Sequence, residues 1–372
     1  IDYMFNNCKS LEFLNIIELD TSLITNMAYL FNNCESLDSL VLSSFRTPIL
    51  STMEKMFYNC NSLTTLDLSL FDTSKVTNMD SLFYNCASMQ FLDLTNFITS
   101  LVDNMDTMFY SCSSMTSLKV TSFDTHLITN MASLFEKCES LTTLDLSSFN
   151  TEIVTTMQSM FKSCKELISL NLPSTSTPLV TNMASLFENC EKIPQLDLSI
   201  FNTEKVTTME NMFKYCKELN SLDVHNWETS LVENMGSMFD SCENLESLVL
   251  SNFNTAKVTN MENMFKSCTG FTSLNIANFD TAIVTNMASM FDGCTNLQYI
   301  NLNQFKEAAD VDTTDVIRGT IDNITYCIGD VTLAPKIALA FEEKICEYLD
   351  CDSNWKENLE NKIRQIIEEG IY

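Results

Sequence analysis

Cysteine recurs at Cys8, Cys34, Cys60, Cys86, Cys112, Cys138, Cys164, Cys190, Cys216, Cys242, Cys268 and Cys294, once every 26 residues. Thiolates ligate metals, exchange disulfides and act as nucleophiles, so twelve in strict register invite a chemical reading. Zinc requires four ligands around one point, with Zn–S near ~2.3 Å. One thiol per unit, no C-x-x-C pair and only two histidines, His126 and His225, do not converge in that way. Disulfides between successive units fail on geometry. Equivalent side chains point in parallel and keep their Cβ atoms about 5 Å apart, beyond the ~3.5–4.5 Å that a bridge needs. The remaining role is packing, because free cysteine behaves as a small, readily buried hydrophobe. The expectation is an inward column of reduced thiols.

Other columns offer weaker chemistry. Methionine stands nineteen residues after each cysteine, from Met27 to Met287, and phenylalanine twenty-three after, from Phe31 to Phe291. Thioethers suggest copper or haem, but beside a phenylalanine ladder at helical spacing they read as core. No metal and no cofactor is expected. The outward positions of the repeat form the candidate binding face. Five residues past the cysteine, serine and threonine are interrupted by Phe13, Phe91 and Tyr299; seven past stand Asp67, Asp93, Asp145, Asp197 and Asp223. Carboxylates one rung apart on strands supply too few ligands each for calcium. Serine and threonine beside aspartate, not paired threonines, argue against an ice-binding array. The chain carries no nucleophile elbow, P-loop, G-x-G-x-x-G or histidine placed as a base, so it is not expected to be an enzyme. A uniform column of acids is not a unique site.

The elements that must carry these columns follow from their periods. Apolar residues three, six and eight past the cysteine, such as Leu141, Leu144 and Leu146, give an L-x-x-L-x-L alternation that predicts a short strand with one buried face. Met131, Leu134, Phe135 and Cys138 fall at i, i+3, i+4, i+7, which predicts about two helical turns capped by Thr129-Asn130. Each unit then reads strand, turn, helix, turn, an α/β repeat. Stacked units bury what one cannot, giving a right-handed leucine-rich-repeat-like solenoid of about twelve units over residues 1–305. Ile1 sits where most repeats carry methionine, so the chain opens in mid-repeat and reads as a piece of something longer. Pro173, Pro178 and Pro194, with Thr175 in place of the usual aromatic, predict a local irregularity. With six glycines in the chain, turns must rely on Asn, Asp, Ser and Thr.

The repeat letters stop after Phe305. Residues 306–372 are expected to cap the solenoid, with weak strand character near 321–328 and helices over 335–349 and 354–369. The tail cysteines Cys327, Cys346 and Cys351 lie off the register, and in an oxidising compartment Cys327 is expected to pair with Cys346 or Cys351. Asn323 opens an N-x-T sequon, a glycan acceptor in a secreted chain.

Bulk properties exclude whole classes of partner. The chain has 372 residues, 45% of them hydrophobic, a formal net charge of −28 and a pI of about 4.2. It is too apolar for disorder and too acidic for nucleic acid or anionic membranes. No apolar run reaches the ~18 residues of a membrane span.

The pattern L-x-x-L-D-L-S-x-F-x-T-x-x-V-T-N-M-x-x-M-F-x-x-C resembles the 26-residue bacterial-surface-protein repeat, the BspA-like branch of the leucine-rich repeats. Residues 57–86, FYNCNSLTTLDLSLFDTSKVTNMDSLFYNC, carry it almost letter for letter. The resemblance covers about residues 1–305. It implies a surface protein used for adhesion or recognition, in bacteria and unicellular eukaryotes. The tail stretches NITYCIGD and CDSNWKENLENKIRQII are similar to a segment that follows such repeats in surface proteins of unicellular eukaryotes. The leading expectation is an extracellular or cell-surface protein that binds a protein or glycan through its strand face. The alternative is a structural spacer or filament subunit that self-associates through solenoid ends. A third reading is a reduced intracellular scaffold.

Overall fold

The computed structural model describes residues 1–17, 19–322 and 324–343, and the backbone of 347–348. Each unit is one turn of a parallel β-solenoid. We number the turns by their cysteines, so coil 1 carries Cys8 and coil 12 carries Cys294. Most coils contribute a short strand after the cysteine. Thr143–Asp145 pairs in parallel with Ser169–Asn171, and Leu144 faces Leu170, its counterpart 26 residues on. Buried and exposed positions alternate along these strands, as in Thr143–Asp145, where only Leu144 is buried. A second wall is built from isolated parallel bridges such as Asn182 to Thr208 and Thr208 to Asn234.

The short helix expected in each unit is absent. The stretch from Met27 to Cys34 is a series of turns. Leu30, Asn32 and Cys34 donate their N–H groups three residues back, to Met27, Tyr29 and Phe31. The alternate N–H groups of Met27, Tyr29, Phe31 and Asn33 go to Thr52, Glu54, Met56 and Tyr58 in the next coil. An α-helix would spend all of them internally and needs a width of about 10 Å. Coils paired through strands stand ~4.8 Å apart. On the turn wall the phenylalanine rings from Phe5 to Phe291 stack at 5.4 to 5.9 Å. The coils scarcely splay, so no helix fits. The i, i+3, i+4, i+7 pattern is met instead by two left-handed residues per coil, such as Tyr29 (φ 59°) and Asn33 (φ 57°). A non-glycine residue there costs on the order of 1 kcal/mol, offset by hydrogen bonds to the neighbouring coil.

Three side-chain turns make the corners. The residue seven past the cysteine accepts an N–H from two residues on, as Asp145 does from Ser147 (3.0 Å). Twelve past, Asn150 does the same for Glu152 (2.9 Å), and eighteen past, Asn130 for Ala132 (2.9 Å). Asparagine and aspartate thereby supply what glycine would. The buried threonine thirteen past the cysteine then ties coil to coil. The Thr125 hydroxyl accepts the N–H of Asn150 (2.7 Å) and donates to its carbonyl (2.8 Å).

Charge on the turn wall alternates along the stack. Two residues before the cysteine stand Glu136, Lys162, Glu188, Lys214, Asp240, Lys266 and Asp292, with Arg318 next. Lys162 pairs with Glu188 (2.9 Å), Lys214 with Asp240 (3.1 Å) and Arg318 with Asp292 (3.0 Å). In a chain of net charge −28, placing unlike charges one coil apart limits like-charge repulsion along this wall.

The 26-residue register runs past Phe305, into sequence that has lost the repeat's letters. Tyr299–Leu302 pairs with Thr325–Ile328 at the same spacing, and Phe291, Gly293 and Ser289 still donate 25 residues ahead. The end is covered by a helix, Pro335–Glu343, whose Ile337 and Phe341 are fully buried. The Phe341 ring stacks on Tyr326 at 4.8 Å. This helix is shorter than expected, because Glu347–Tyr348 adds as a parallel strand beside Thr325–Tyr326. The expected helix over 354–369 lies outside the described residues. No helix of the described residues is long and apolar enough to cross a membrane.

The threonine ties are testable. Thr125→Val preserves shape but leaves the Asn150 N–H and carbonyl unpaired, so it should lower stability by about 2–4 kcal/mol in urea unfolding. Thr125→Ser should retain most of it. Equal midpoints for the valine variant and the parent would show that the hydroxyl column contributes nothing.

Candidate functional site

The cysteine column points inward. Cys34 to Cys294 are buried, Cys8 is half-buried, and all twelve are free. Each thiol from Cys34 onward donates to the carbonyl of the phenylalanine 29 residues earlier, as Cys138 does to Phe109 at 3.2 Å. That carbonyl already accepts the Cys112 N–H, so the thiol satisfies its second lone pair. Burial raises the thiols: Cys34 is pushed up to about 11, Cys112 and Cys294 to about 12. A neutral, enclosed thiol is neither nucleophile nor ligand. Among the described residues no group of His, Cys, Asp or Glu is arranged to hold a metal ion.

Cys327 lies off this column and is disulfide-bonded. Cys346, Cys351 and Asn323 lie outside the described residues. Tyr299 does not belong to an open face. It is 0% exposed, in a strand buried on both sides at the capped end, with its hydroxyl 3.8 Å from the Cys327 sulfur. It therefore cannot serve as an exposed anchor.

The rest of the candidate face is open. Phe13 is 56% and Phe91 44% exposed. Phe91 already has a partner, because Lys119 sits over its ring at 5.5 Å and pairs with Asp93 at 2.9 Å. Asp67, Asp93, Asp145, Asp197 and Asp223 all use one oxygen in the corner turn, accepting the N–H two residues on. The column is explained first by folding. The same bonds hold these carboxyls below their ordinary range. Asp93 falls to about 2, chiefly through the Thr95 hydroxyl and then Lys119, and Asp223 is lowered chiefly by the His225 ring.

Over coils 8 to 12 the face becomes concave. A depression of about 540 Å³ is lined by Gln195, Asp197, Ser221, Asp223, His225 and Val249, among others. Through Ser247 it adjoins a wider one of about 830 Å³, bordered by Asn220, Glu243, Asn244, Glu246 and Gly270. The sheet is interrupted here, with Ser247–Leu248 and Ser273–Asn275 belonging to separate sheets. Asp197 and Asp223 thus come together as neighbours in one concavity, whereas Phe13, Phe91 and Asp67 lie coils away. Sequence reasoning did not single out His225, Val249 and Trp227 as site residues. Their signal was departure from the column: histidine for serine, valine for aspartate, tryptophan for phenylalanine. Val249 is 63% exposed, and His225 Nδ1 donates to Asp223 Oδ1 at 2.6 Å.

A family model described as "Mycoplasma protein of unknown function, DUF285" matches residues 1–117, 83–176, 168–248 and 218–322. No curated protein matches the chain. Among solved structures, the chain is similar to the functional domain of InlJ from Listeria monocytogenes, which includes a cysteine ladder. The identity is 16% and the TM-score 0.20, over 89% of this chain and 67% of that one.

The thiol column gives a pH signature. In the unfolded chain thiols ionise near their ordinary 9.0, whereas in the fold Cys112 holds its proton to about 12. The unfolded state therefore loses protons first. The column's contribution to stability is complete below about pH 9 and is lost between about 9 and 12. Urea midpoints should fall over that window, less steeply in Cys112→Ala or Cys138→Ala. In native chain, alkylation should reach Cys8 before any other column cysteine. Identical slopes in parent and alanine variants would contradict this account.

Proposed function

The chain belongs to the family described as "Mycoplasma protein of unknown function, DUF285", and from that premise we propose a non-catalytic recognition or adhesion protein of the cell surface. It binds a protein or glycan through the strand face of coils 8 to 12. The observation that supports this most directly is the concavity itself. Several outward letters are replaced close together here, histidine for serine at His225 and valine for aspartate at Val249, while the cysteine, methionine and phenylalanine columns of the turn wall continue unchanged. Elsewhere the outward positions are largely consumed by the fold, as corner turns, coil-to-coil ladders and alternating charges. Uniform acids tied into turns supply no base or nucleophile, which favours binding over catalysis.

An extracellular setting is supported by the disulfide at Cys327, since such bonds persist in oxidising compartments. The free column does not oppose it, because buried neutral thiols are shielded from oxidants. The family description points to Mycoplasma, whereas the tail resemblance pointed to unicellular eukaryotes.

Two substitutions taken from the repeat's own columns test the face. Val249→Asp installs the residue that five other coils hold there. Leu127→Lys alters a different corner, where Lys75, Lys205 and Lys257 already occur. Capture of purified surface proteins, mucins and immobilised glycans by the full chain should be lost in Val249→Asp and kept in Leu127→Lys. Equal capture by both variants, or none by the parent, would overturn the reading.

A further inference from the structure

We propose that the opening between coils 8 and 9 is a subsite for a neutral sugar ring, and that the concavity beside it takes the rest of an uncharged glycan. The inference rests on the strand-face reading above and names its ligand class.

The opening lies at a corner whose asparagine does not close it. Asn96, Asn252 and Asn278 stand ten residues past their cysteines. Each donates its side-chain amide to two carbonyls of the preceding coil. For Asn252 these are Val224 (3.2 Å) and Trp227 (2.8 Å), and for Asn278, Leu250 (3.0 Å) and Phe253 (2.7 Å). Asn226 is the same residue at the same place, yet it is exposed and its amide makes neither bond. The carbonyls of Leu198 and Phe201, which occupy the acceptor positions, receive no amide from it. A cavity of about 190 Å³ opens there, bordered by Asp197, Ser199, Asp223, His225, Asn226 and Trp227. That is below the usual size of a whole small-molecule site and suits a single ring.

Its floor is unusual among the coils. Trp227 replaces the common phenylalanine, is 1% exposed, and has no hydrogen-bond partner for its indole N–H. Its ring packs on Phe201, Phe213 and Phe253 beneath the corner. Its rim is equally mixed. Asp197 and Asp223, on successive coils, each spend one oxygen on a corner turn and keep the other. The His225 ring is held against Asp223 at 2.6 Å and is itself exposed. Carboxylates, a hydroxyl, an amide and an imidazole are thus interleaved around one ring-sized space.

That mixture selects the ligand. Sugar hydroxyls both donate and accept, and adjacent hydroxyls can donate to a carboxylate together. A lysine- or arginine-rich peptide carries donors only in its charged groups, and would leave the Asn226 amide N–H unmatched. An acidic sugar or phosphate would meet Asp197 and Asp223 with no lysine or arginine among the lining residues. The subsite shares Asp197, Asp223 and His225 with the 540 Å³ depression, so a chain of sugars can run from one into the other.

The repeat provides variants that other coils already tolerate. Asn171 and Asn275 stand in the column of Asp223, serine is common in the column of His225, and phenylalanine in that of Trp227. The test uses the full chain with Trp355→Phe, so that Trp227 is its remaining tryptophan. It is titrated with methyl mannoside, galactose, fucose and N-acetylglucosamine, with sialic acid and a polylysine peptide as charged controls. At least one neutral sugar should shift the Trp227 emission, and sialic acid should not. By calorimetry its affinity should fall about tenfold or more in Asp223→Asn with His225→Ser. Sugar binding unchanged in that double variant would overturn the subsite. Capture of polylysine or of a surface protein, sensitive to Val249→Asp, without any neutral sugar would overturn the ligand class and leave the strand-face reading standing. No binding of any probe would overturn both.

Discussion

Every coil must sit on the next at the spacing of paired backbones, and that constraint organises the molecule. Strand pairing on one wall, bridges on the second and turn-to-turn hydrogen bonds on the third all connect residues about 26 apart. Once the spacing is set, a residue that is good at one level is good at every level. Phenylalanine stacks on phenylalanine, a thiol finds the carbonyl of the coil before it, and a threonine hydroxyl clips the coil after it. The cysteine column is thus a consequence of stacking. Cysteine is small enough for the narrow place beside the phenylalanine stack and brings a weak donor for a carbonyl that has a lone pair to spare.

The same constraint explains what the structure avoids. Identical charges stacked at every coil would repel strongly, and the turn wall alternates Lys162, Glu188, Lys214 and Asp240 instead. Where charge is absent from that column, aromatic rings serve, with Tyr58, Tyr84 and Tyr110 stacked at 4.5 and 4.6 Å. The aspartates seven past the cysteine do stack like with like, as Asp197 and Asp223 do. They lie at an exposed corner, where water screens them and backbone N–H groups hold them.

A surface built from columns is poor in information. Specific recognition requires places where a column is broken, and coils 8 to 10 hold several close together. Histidine, valine and tryptophan replace serine, aspartate and phenylalanine, and Asn226 does not close its corner. The aromatic exceptions that stood out in the sequence behave differently. Phe91 is partnered by Lys119, and Tyr299 is consumed by the capped end. An exposed position in the repeat does not guarantee exposure in the fold: the strand Tyr299–Leu302 is buried on both sides, with Cys327 against the Tyr299 hydroxyl.

The sequence by itself determined the repeat, its buried strand residues and the inward sense of the cysteine, methionine and phenylalanine columns. Those depend only on spacing and hydrophobicity, which are local. It also determined that Asn, Asp and Thr would do the work of glycine at the corners. The choice between helix and turns was decided by the tertiary structure. Both put residues i, i+3, i+4 and i+7 on one side, and only the distance to the neighbouring coil excludes the wider of the two. Continuation of the register beyond Phe305 was likewise invisible, since backbone hydrogen bonds propagate it after the side-chain letters have gone. The concavity of coils 8 to 12 lies where outward letters of successive coils depart together and an amide is left without its bond, relations between coils that no single unit contains.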